Sequence, residues 1–324
     1  MKPDFRDSAK KIRKLINAAS TISIVGHVHP DGDCVGSCLA LYNYILDNFE
    51  NKTVDVYLET LPAQFRFLNG SKKVRHETGK GRYDLGISLD CSDTARHGKF
   101  AKCFSHAIST VCIDHHVTNK GFGDICVVDG DSSSACEVLA EMMDMDKVSL
   151  QTAECLYLGM VHDTGVFKYS CTGRRTMEIA GLLLEKGVRS DRIIDDTFYK
   201  KTYKQNLLMA RTLLESRLFL KGKIIHGMVT REMFRDARAV PADTEGIVEQ
   251  LRLTDGVEAA VFVYQLPKKM LKFSLRSKEI VDVSRIAEEF GGGGHVRAAG
   301  FETSMKYEEA LNKVLERIEE QLGQ

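Results

Sequence analysis

The sequence of 324 residues has no net charge: 45 basic side chains stand against 45 acidic ones, and the pI is close to neutral. That balance argues against a protein that grips long nucleic acid through a wide basic surface, where affinity comes from many phosphate contacts. No apolar run reaches the length of a membrane span, and residues 1–14 carry too many charges for a secretory signal. A cytoplasmic protein without a membrane partner is expected. The nine cysteines include no Cys-x-x-Cys pair, their number is odd, and none lies beyond Cys171. This argues against a disulfide framework and for small buried thiols. Internal repeats, low-complexity tracts and coiled-coil heptads are absent as well. The length exceeds the usual size of one core, so two domains are expected.

What is present is concentrated in two clusters, His27-Val28-His29-Pro30-Asp31-Gly32-Asp33 and Asp114-His115-His116. Each follows a short β-branched apolar run, 21–25 or 110–113, that predicts a buried strand. In an open α/β sheet, loops leaving the carboxyl ends of strands converge on one crevice. The two clusters should therefore face each other. Asp90 ends a third such run, 85–89, and Asp163 stands at the end of an expected helix, before Thr164-Gly165. Any one of these acids alone reads as a loop cap or turn residue. Together His27, Asp31, Asp33, Asp90, His115 and Asp163 form a candidate metal-ligand set. Crowded carboxylates repel unless cations hold them. Oxygen donors mixed with imidazole suit Mn²⁺, Mg²⁺ or Fe²⁺ better than a thiolate-type zinc site would.

The fold class is α/β. Up to about residue 186 strand-like and helix-like segments alternate, with helices expected over 5–19, 34–48, 134–144, 152–162 and 176–186. Ser134-x-x-Glu137 reads as a capping box and Gly187 as a helix terminator. Residues 1–190 should form a mainly parallel sheet flanked by helices, and 191–214 a helical connector. The region 215–324 should form a smaller α/β domain. It holds paired strands at 216–220 with 224–230 and 257–265 with 270–277, and helices near 245–253, 283–290 and 306–321. Alternation over 270–277 places Lys272, Ser274 and Arg276 on one face and Leu271, Phe273 and Leu275 on the other. Four glycines, 291–294, precede His295; they permit close backbone approach and can turn N–H groups toward a phosphate. A helix beginning within 296–299 would add its positive end.

In order, His-x-x-x-Asp-x-Asp, a lone Asp, Asp-His-His and a further Asp resemble the DHH phosphoesterase superfamily. Gly291-Gly292-Gly293-Gly294-His295-Val296-Arg297-Ala298-Ala299-Gly300 resembles the glycine-rich signature of the DHHA1 domain. Length and domain pairing are most similar to the nanoRNase/pAp phosphatase branch, the bifunctional oligoribonucleases. The resemblance implies two divalent ions, Mn²⁺ foremost, in an active site at the interdomain cleft. Asp90 would bridge them, with His27 and Asp31 on one ion and Asp33, His115 and Asp163 on the other. Arg276 and His295, with Gly293 and Gly294, would meet the substrate's phosphate or terminal nucleotide. Asp114 is expected to orient a histidine, and His116 to stabilise phosphoryl oxygen or protonate the leaving group. His29 stands where relatives carry Asn and is expected to orient its loop or touch the site's periphery. The resemblance also suggests a homodimer. The implied reaction is hydrolysis of very short RNA, with 3′-phosphoadenosine 5′-phosphate as a second substrate. Alternatives are linear dinucleotides (pGpG, pApA) or polyphosphate. A non-catalytic nucleotide sensor is disfavoured by the complete ligand set.

Overall fold

The structure, a computed structural model, describes residues 4–79 and 81–323, so residues 1–3 of the charged N-terminal stretch lie outside it. The chain divides into two compact units, Met1–Lys200 and Lys201–Gln324.

The first unit is built on strands β1 (Thr21–Val25), β2 (Thr53–Tyr57), β3 (Val74–Arg75), β4 (Leu85–Leu89), β5 (Ser109–Asp114) and β6 (Ile125–Val128). All pair in parallel, in the order β3-β2-β1-β4-β5-β6. The order reverses between β1 and β4, where loops leaving the two strands part and open a crevice. Parallel strands covered on both faces read as continuous apolar runs, and Ile22, Ile24, Leu85, Ile87 and Leu89 are all buried. The helices are α1 (Phe5–Ala18), α2 (Gly32–Asn48), α3 (Ala101–Ser105), α4 (Ala135–Met142), α5 (Leu150–Asp163), α6 (Arg174–Glu185) and α7 (Ser190–Ile194). The main core packs α1, α2, α4, α5 and α6 against one face of the sheet. A small cluster of Val25, Tyr57, Tyr83, Phe100, Cys103 and Phe104 covers the other.

Local chemistry sets where these helices begin. Ser134 accepts from the Glu137 N–H at 3.0 Å, as the capping pattern predicts. The Glu137 carboxylate departs from that pattern: it accepts from Ser133 and Thr176, so its side chain ties α4 to α6. Helices α2 and α5 cross at glycines. A Cβ on Gly36 would lie 2.6 Å from the Cys155 carbonyl, and one on Gly159 would lie 2.7 Å from Asp33 Oδ1. Only a bare backbone fits there, and the close approach brings Asp33 of one helix toward Asp163 of the other.

The expected single connector is broken. After α7 comes a π-helical turn, Asp195–Tyr199, and then a new helix, α8 (Tyr203–Leu214). The break follows from a capping box that the sequence reading passed over. Thr202 accepts from the Gln205 N–H at 3.3 Å, and Gln205 accepts from the Thr202 N–H at 2.7 Å.

The second unit holds β7 (Arg217–Phe219), β8 (Ile224–Val229), β9 (Ala259–Gln265), β10 (Leu271–Ser277), β11 (Gly293–His295) and β12 (Ala298–Thr303). Their order is β11-β12-β10-β9-β8-β7, and only β8 and β9 pair in parallel. Helix α8 with α9 (Arg231–Asp236) and α10 (Ile247–Arg252) packs on one face, around Ile225, Val229, Ala260 and Phe262. Helices α11 (Val283–Glu289) and α12 (Tyr307–Leu322) cover the other, around Phe273, Leu275, Phe301, Val314 and Ile318. No helix among the described residues is long and apolar enough to cross a membrane.

Candidate metal centre and phosphate face

The carboxyl ends of β1, β4 and β5 supply His27, Asp90 and the run Asp114-His115-His116, and the ends of two helices supply the other acids. Asp31 caps α2, accepting from the N–H groups of Asp33 and Cys34 at 3.1 Å. Asp33 sits in the first turn of α2, and Asp163 is the last residue of α5. Asp90 lies at the middle of this arrangement. Its Oδ2 is 3.3 Å from His27 Nε2, and its Oδ1 is 3.5 Å from His115 Nε2 and 3.6 Å from His116 Nδ1. His115 Nε2 is also 3.1 Å from Asp163 Oδ2 and 3.9 Å from Asp33 Oδ2. Asp31 stands further out, with Oδ1 3.7 Å from His27 Nε2.

Among the described residues, three overlapping groups have ligand atoms within 4.8 Å of one another: His27, Cys34 and Asp90; Asp90, His115 and His116; and Asp33, His115 and Asp163. Asp90 and His115 each belong to two of them. Asp90 holds a left-handed φ of 56°, a conformation that side-chain-bearing residues rarely adopt. Its Oδ1 is buried and, among the described residues, has no hydrogen-bond partner. Buried carboxylate oxygens are normally satisfied. An orphaned oxygen among three more acids and two imidazoles fits a hard divalent cation, and these residues could hold one.

The electrostatics agree. Burial, followed by the charges of Asp90 and Asp163, pushes the Asp33 carboxyl well above its usual range. Burial also raises Asp163, against the hydrogen bond from His115. Burial alone would lower the two imidazoles, yet their carboxylate neighbours prevail. His115 is held up to about 12, and His27 is raised strongly as well. Without a metal, the protonated imidazoles are the cations that let these acids coexist. Metal binding displaces such protons from its ligands. His27 is also aimed: its Nδ1 lies 2.7 Å from the Val28 carbonyl, which only accepts, so Nε2 is left to face the acids.

Asp33 has a second duty. Its carboxylate accepts from the N–H groups of Ala135 and Cys136 at 2.6 and 3.0 Å, at the start of α4. Asp114 is wholly buried and orients His116, whose Nδ1 lies 2.7 Å away. A carboxylate only accepts, so Nδ1 carries the proton and Nε2 is the free edge of a partly exposed ring. Burial would raise Asp114, but the hydrogen bonds from His116 and Asn119 hold it below its ordinary value. His29 is not in the cluster. Its side chain is 89% exposed, and its backbone N–H donates to Glu59 Oε2 at 3.0 Å. Sequence reasoning missed Asn119, which donates to Asp114 Oδ2 at 2.7 Å and to the Cys91 carbonyl at 3.0 Å. It gave Cys34 no place beside His27 and Asp90 either. The only sequence signal for Asn119 is its position five residues after Asp114.

In the second unit the expected alternation is present: Leu271, Phe273 and Leu275 are buried, while Lys272, Ser274 and Arg276 are half-buried on the opposite face. The helix considered for 296–299 does not form. The glycine run instead enters β11, turns at Val296-Arg297 and returns as β12. Phe301 decides this outcome, stacking between Phe273 and Phe290 at centroid distances of 4.7 and 4.3 Å, which requires a strand at that position. Register then aligns the polar residues. Arg276 pairs with Ala298, and Ala298 with His295. Directly opposed residues in antiparallel strands project to the same face. Arg276 and His295 therefore share a face, and the adjoining row of Ser274, Gly300 and Gly293 forms a floor almost without side chains.

Residues 21–160 match the DHH family, N-terminal domain, and residues 222–324 match the DHHA1 domain. The chain belongs to the DHH–DHHA1 family. Relatives of similar length run along nearly all of it. The bifunctional oligoribonuclease and PAP phosphatase NrnA of Thermus thermophilus is 27% identical over 325 residues, covering 99% of this chain and 96% of that protein. The Bacillus subtilis protein of the same name is 24% identical over 294 residues, 89% of this chain and 90% of its own. The crystal structure of an exopolyphosphatase-related protein from Bacteroides fragilis superposes with a TM-score of 0.86 at 27% identity, covering 97% and 96% of the two chains.

Proposed function

We propose that this DHH–DHHA1 protein is a metal-dependent phosphoesterase that hydrolyses short oligoribonucleotides, with 3′-phosphoadenosine 5′-phosphate as a second substrate. The observation that carries this reading is the buried, partnerless Oδ1 of Asp90 among three further acids and two imidazoles. The names of the Thermus and Bacillus relatives support the choice of substrate. Two divalent ions are proposed, Mn²⁺ foremost. His27 and Asp31 would hold one, Asp33, His115 and Asp163 the other, and Asp90 both. When bound, such a pair acidifies water and offsets charge on a phosphoryl group.

The remaining work falls to the chain. His27 presents Nε2 because its Nδ1 is committed to Val28. Asp114, braced by Asn119, accepts from His116 Nδ1–H and raises the ring's proton affinity, so the protonated imidazolium's Nε2–H can give a hydrogen bond or a proton to a phosphoryl or leaving oxygen. Arg276 is the second unit's cation for the substrate's phosphate, and its guanidinium is steadied by a 3.0 Å bond to the Leu275 carbonyl. His295 and the glycine floor beside it accept the nucleotide's sugar-phosphate edge.

The test is a panel of end-labelled RNAs from two to twenty nucleotides, with PAP, pGpG and polyphosphate, each in Mn²⁺ and in EDTA. Dinucleotides to pentanucleotides and PAP should be consumed in Mn²⁺ only, with efficiency falling as RNA lengthens. Full activity in EDTA, or rising efficiency on the longest strands, would refute the reading. The Bacteroides neighbour's description as exopolyphosphatase-related favours one alternative, polyphosphate. Preferential turnover of that polymer would select it.

A further inference from the structure

The segment between β2 and β3 encloses an open pocket of about 560 Å³ that the mechanism above does not use. Its charged and imidazole lining is Glu59, Arg66, Lys72 and His76, with the hydroxyls of Thr60 and Ser71. The pocket stands at the carboxyl ends of β2 and β3, the same edge of the sheet from which β1, β4 and β5 send His27, Asp90 and His115. Two contacts tie the β2–β3 segment to chain that flanks the candidate ligands. Glu59 accepts from the backbone N–H of His29, two residues past His27. On the other side the Phe65 ring packs edge-on against His162 at 5.0 Å, one residue before Asp163. The β2–β3 segment thus touches both segments that carry these candidate ligands.

Its charge is unbalanced. Glu59, the acid in the lining, is engaged with the exposed His29, whose Nδ1 lies 3.4 Å from it. Arg66 and Lys72 are exposed, and among the described residues neither has an acidic partner within ion-pair distance. The Arg66 carbonyl accepts from the buried Ser71 hydroxyl at 2.8 Å, which fixes the turn between the two cations. His76 turns Nδ1 toward the Leu58 carbonyl at 3.0 Å, closing the floor of the pocket. A volume of this order suits a small polar ligand. Two cations with no internal partner can meet an anion without first breaking a pair.

Resting on the function proposed above, we propose that this pocket receives the phosphodiester and nucleoside next to the scissile phosphate of a short RNA, with Arg66 and Lys72 facing that phosphate. A trinucleotide carries a second phosphodiester beyond the one undergoing attack, and these cations lie in the β2–β3 segment, outside the candidate metal-ligand groups. The loop that walls the pocket also bounds it, which favours short strands over long ones.

The experiment compares the parent with Arg66→Ala, Lys72→Ala and the double variant, after thermal melts establish that each is folded. For a trinucleotide the double variant should raise KM about tenfold more than it does for bis(p-nitrophenyl) phosphate, which brings no second phosphate. Its binding should also lose about 0.7 of the slope of log affinity against log salt, the share of the one single-strand phosphate contact given up. Equal rises for the two substrates, or an unchanged salt slope, would overturn the inference. Calorimetry with a phosphorothioate trinucleotide in Ca²⁺ separates it from the functional reading. Should the parent fail to cleave RNA, that reading falls, yet binding that the double variant loses would still support the pocket. Equal binding by both proteins, or none by the parent, would sink it.

Discussion

Replacing Asp90 by Asn keeps the side chain's size and removes the charge that faces His27, His115 and His116 at 3.3–3.6 Å. If Asp90 is the ligand shared by two ions, both should be weakened by one substitution. The expected loss in kcat/KM is at least about a thousandfold, or about 4 kcal/mol of transition-state stabilisation. A second readout does not depend on catalysis. An ion present at one hundred times its Kd stabilises the folded protein by about 2.7 kcal/mol. Two such ions give about 5 kcal/mol, and at roughly 2–4 °C per kcal/mol for a unit of this size the melting point should rise by about 10–20 °C in Mn²⁺. Asp90→Asn should forfeit at least half of that rise. In EDTA the variant should melt no lower than the parent, because one of four crowded carboxylates has been neutralised. Initial rates on a dinucleotide and melts with and without Mn²⁺ supply both numbers. A variant within tenfold of the parent, or one that keeps the full Mn²⁺ shift, would refute the bridging role.

Arg276→Ala should raise KM by about 10- to 100-fold and lower kcat far less, as expected for uniform binding; steady-state kinetics on a dinucleotide decide it, and a loss confined to kcat would contradict the assignment. His116→Ala should lower kcat by about 10²–10⁴-fold, the usual reach of general acid–base groups. Asn119→Ala should lower it by about tenfold through Asp114, and a larger loss from Asn119 than from His116 would reverse the proposed order of action. His97 is buried beside Ser88, with a pKa depressed to about 4 by burial. The unfolded chain, with a value near ~6.5, binds that proton more readily, so stability should fall as pH drops from about 6.5 toward about 4, by up to about 1.4 kcal/mol per unit. Urea melts at pH 7 and pH 5 test this, and a His97→Gln protein with the same acid sensitivity as the parent would disprove it.

Much of this arrangement was legible because one rule, strand ends converging in a crevice, acts on residue types that are easy to see. The runs before His27, Asp90 and Asp114 are short, mostly apolar and free of charge, and they stand out as central parallel strands buried on both faces. β2, β3 and β6 did not stand out: β3 has two residues, β6 has four, and β2 carries a polar Asp55 in its middle. Partners set by loop conformation were hidden for a different reason. Nothing in the composition reveals that Asn119 folds back on Asp114, that Glu59 holds the His29 turn, or that Asp90 takes a left-handed φ. The glycine run misled because glycines carry no side-chain period. Whether the chain turned there into a helix or a hairpin was settled at a distance, by Phe301 stacking on Phe273 and Phe290.

The two sheets also differ in how far along the chain their pairings reach. In the first, Ile22 must wait for Leu85, and no neighbouring strands are joined by a tight turn. In the second, β7 with β8, β9 with β10 and β11 with β12 are near neighbours along the chain. Closing long loops before any contact rewards them slows folding, and local hairpins avoid that delay. The unit that emerges first from the ribosome should therefore be the slower to complete, leaving apolar edges of β1 and β4 exposed while its successor is already forming. Pulsed hydrogen exchange during refolding should protect the β9–β10 amides before those of β1 and β4; simultaneous protection would mean that the two units fold as one.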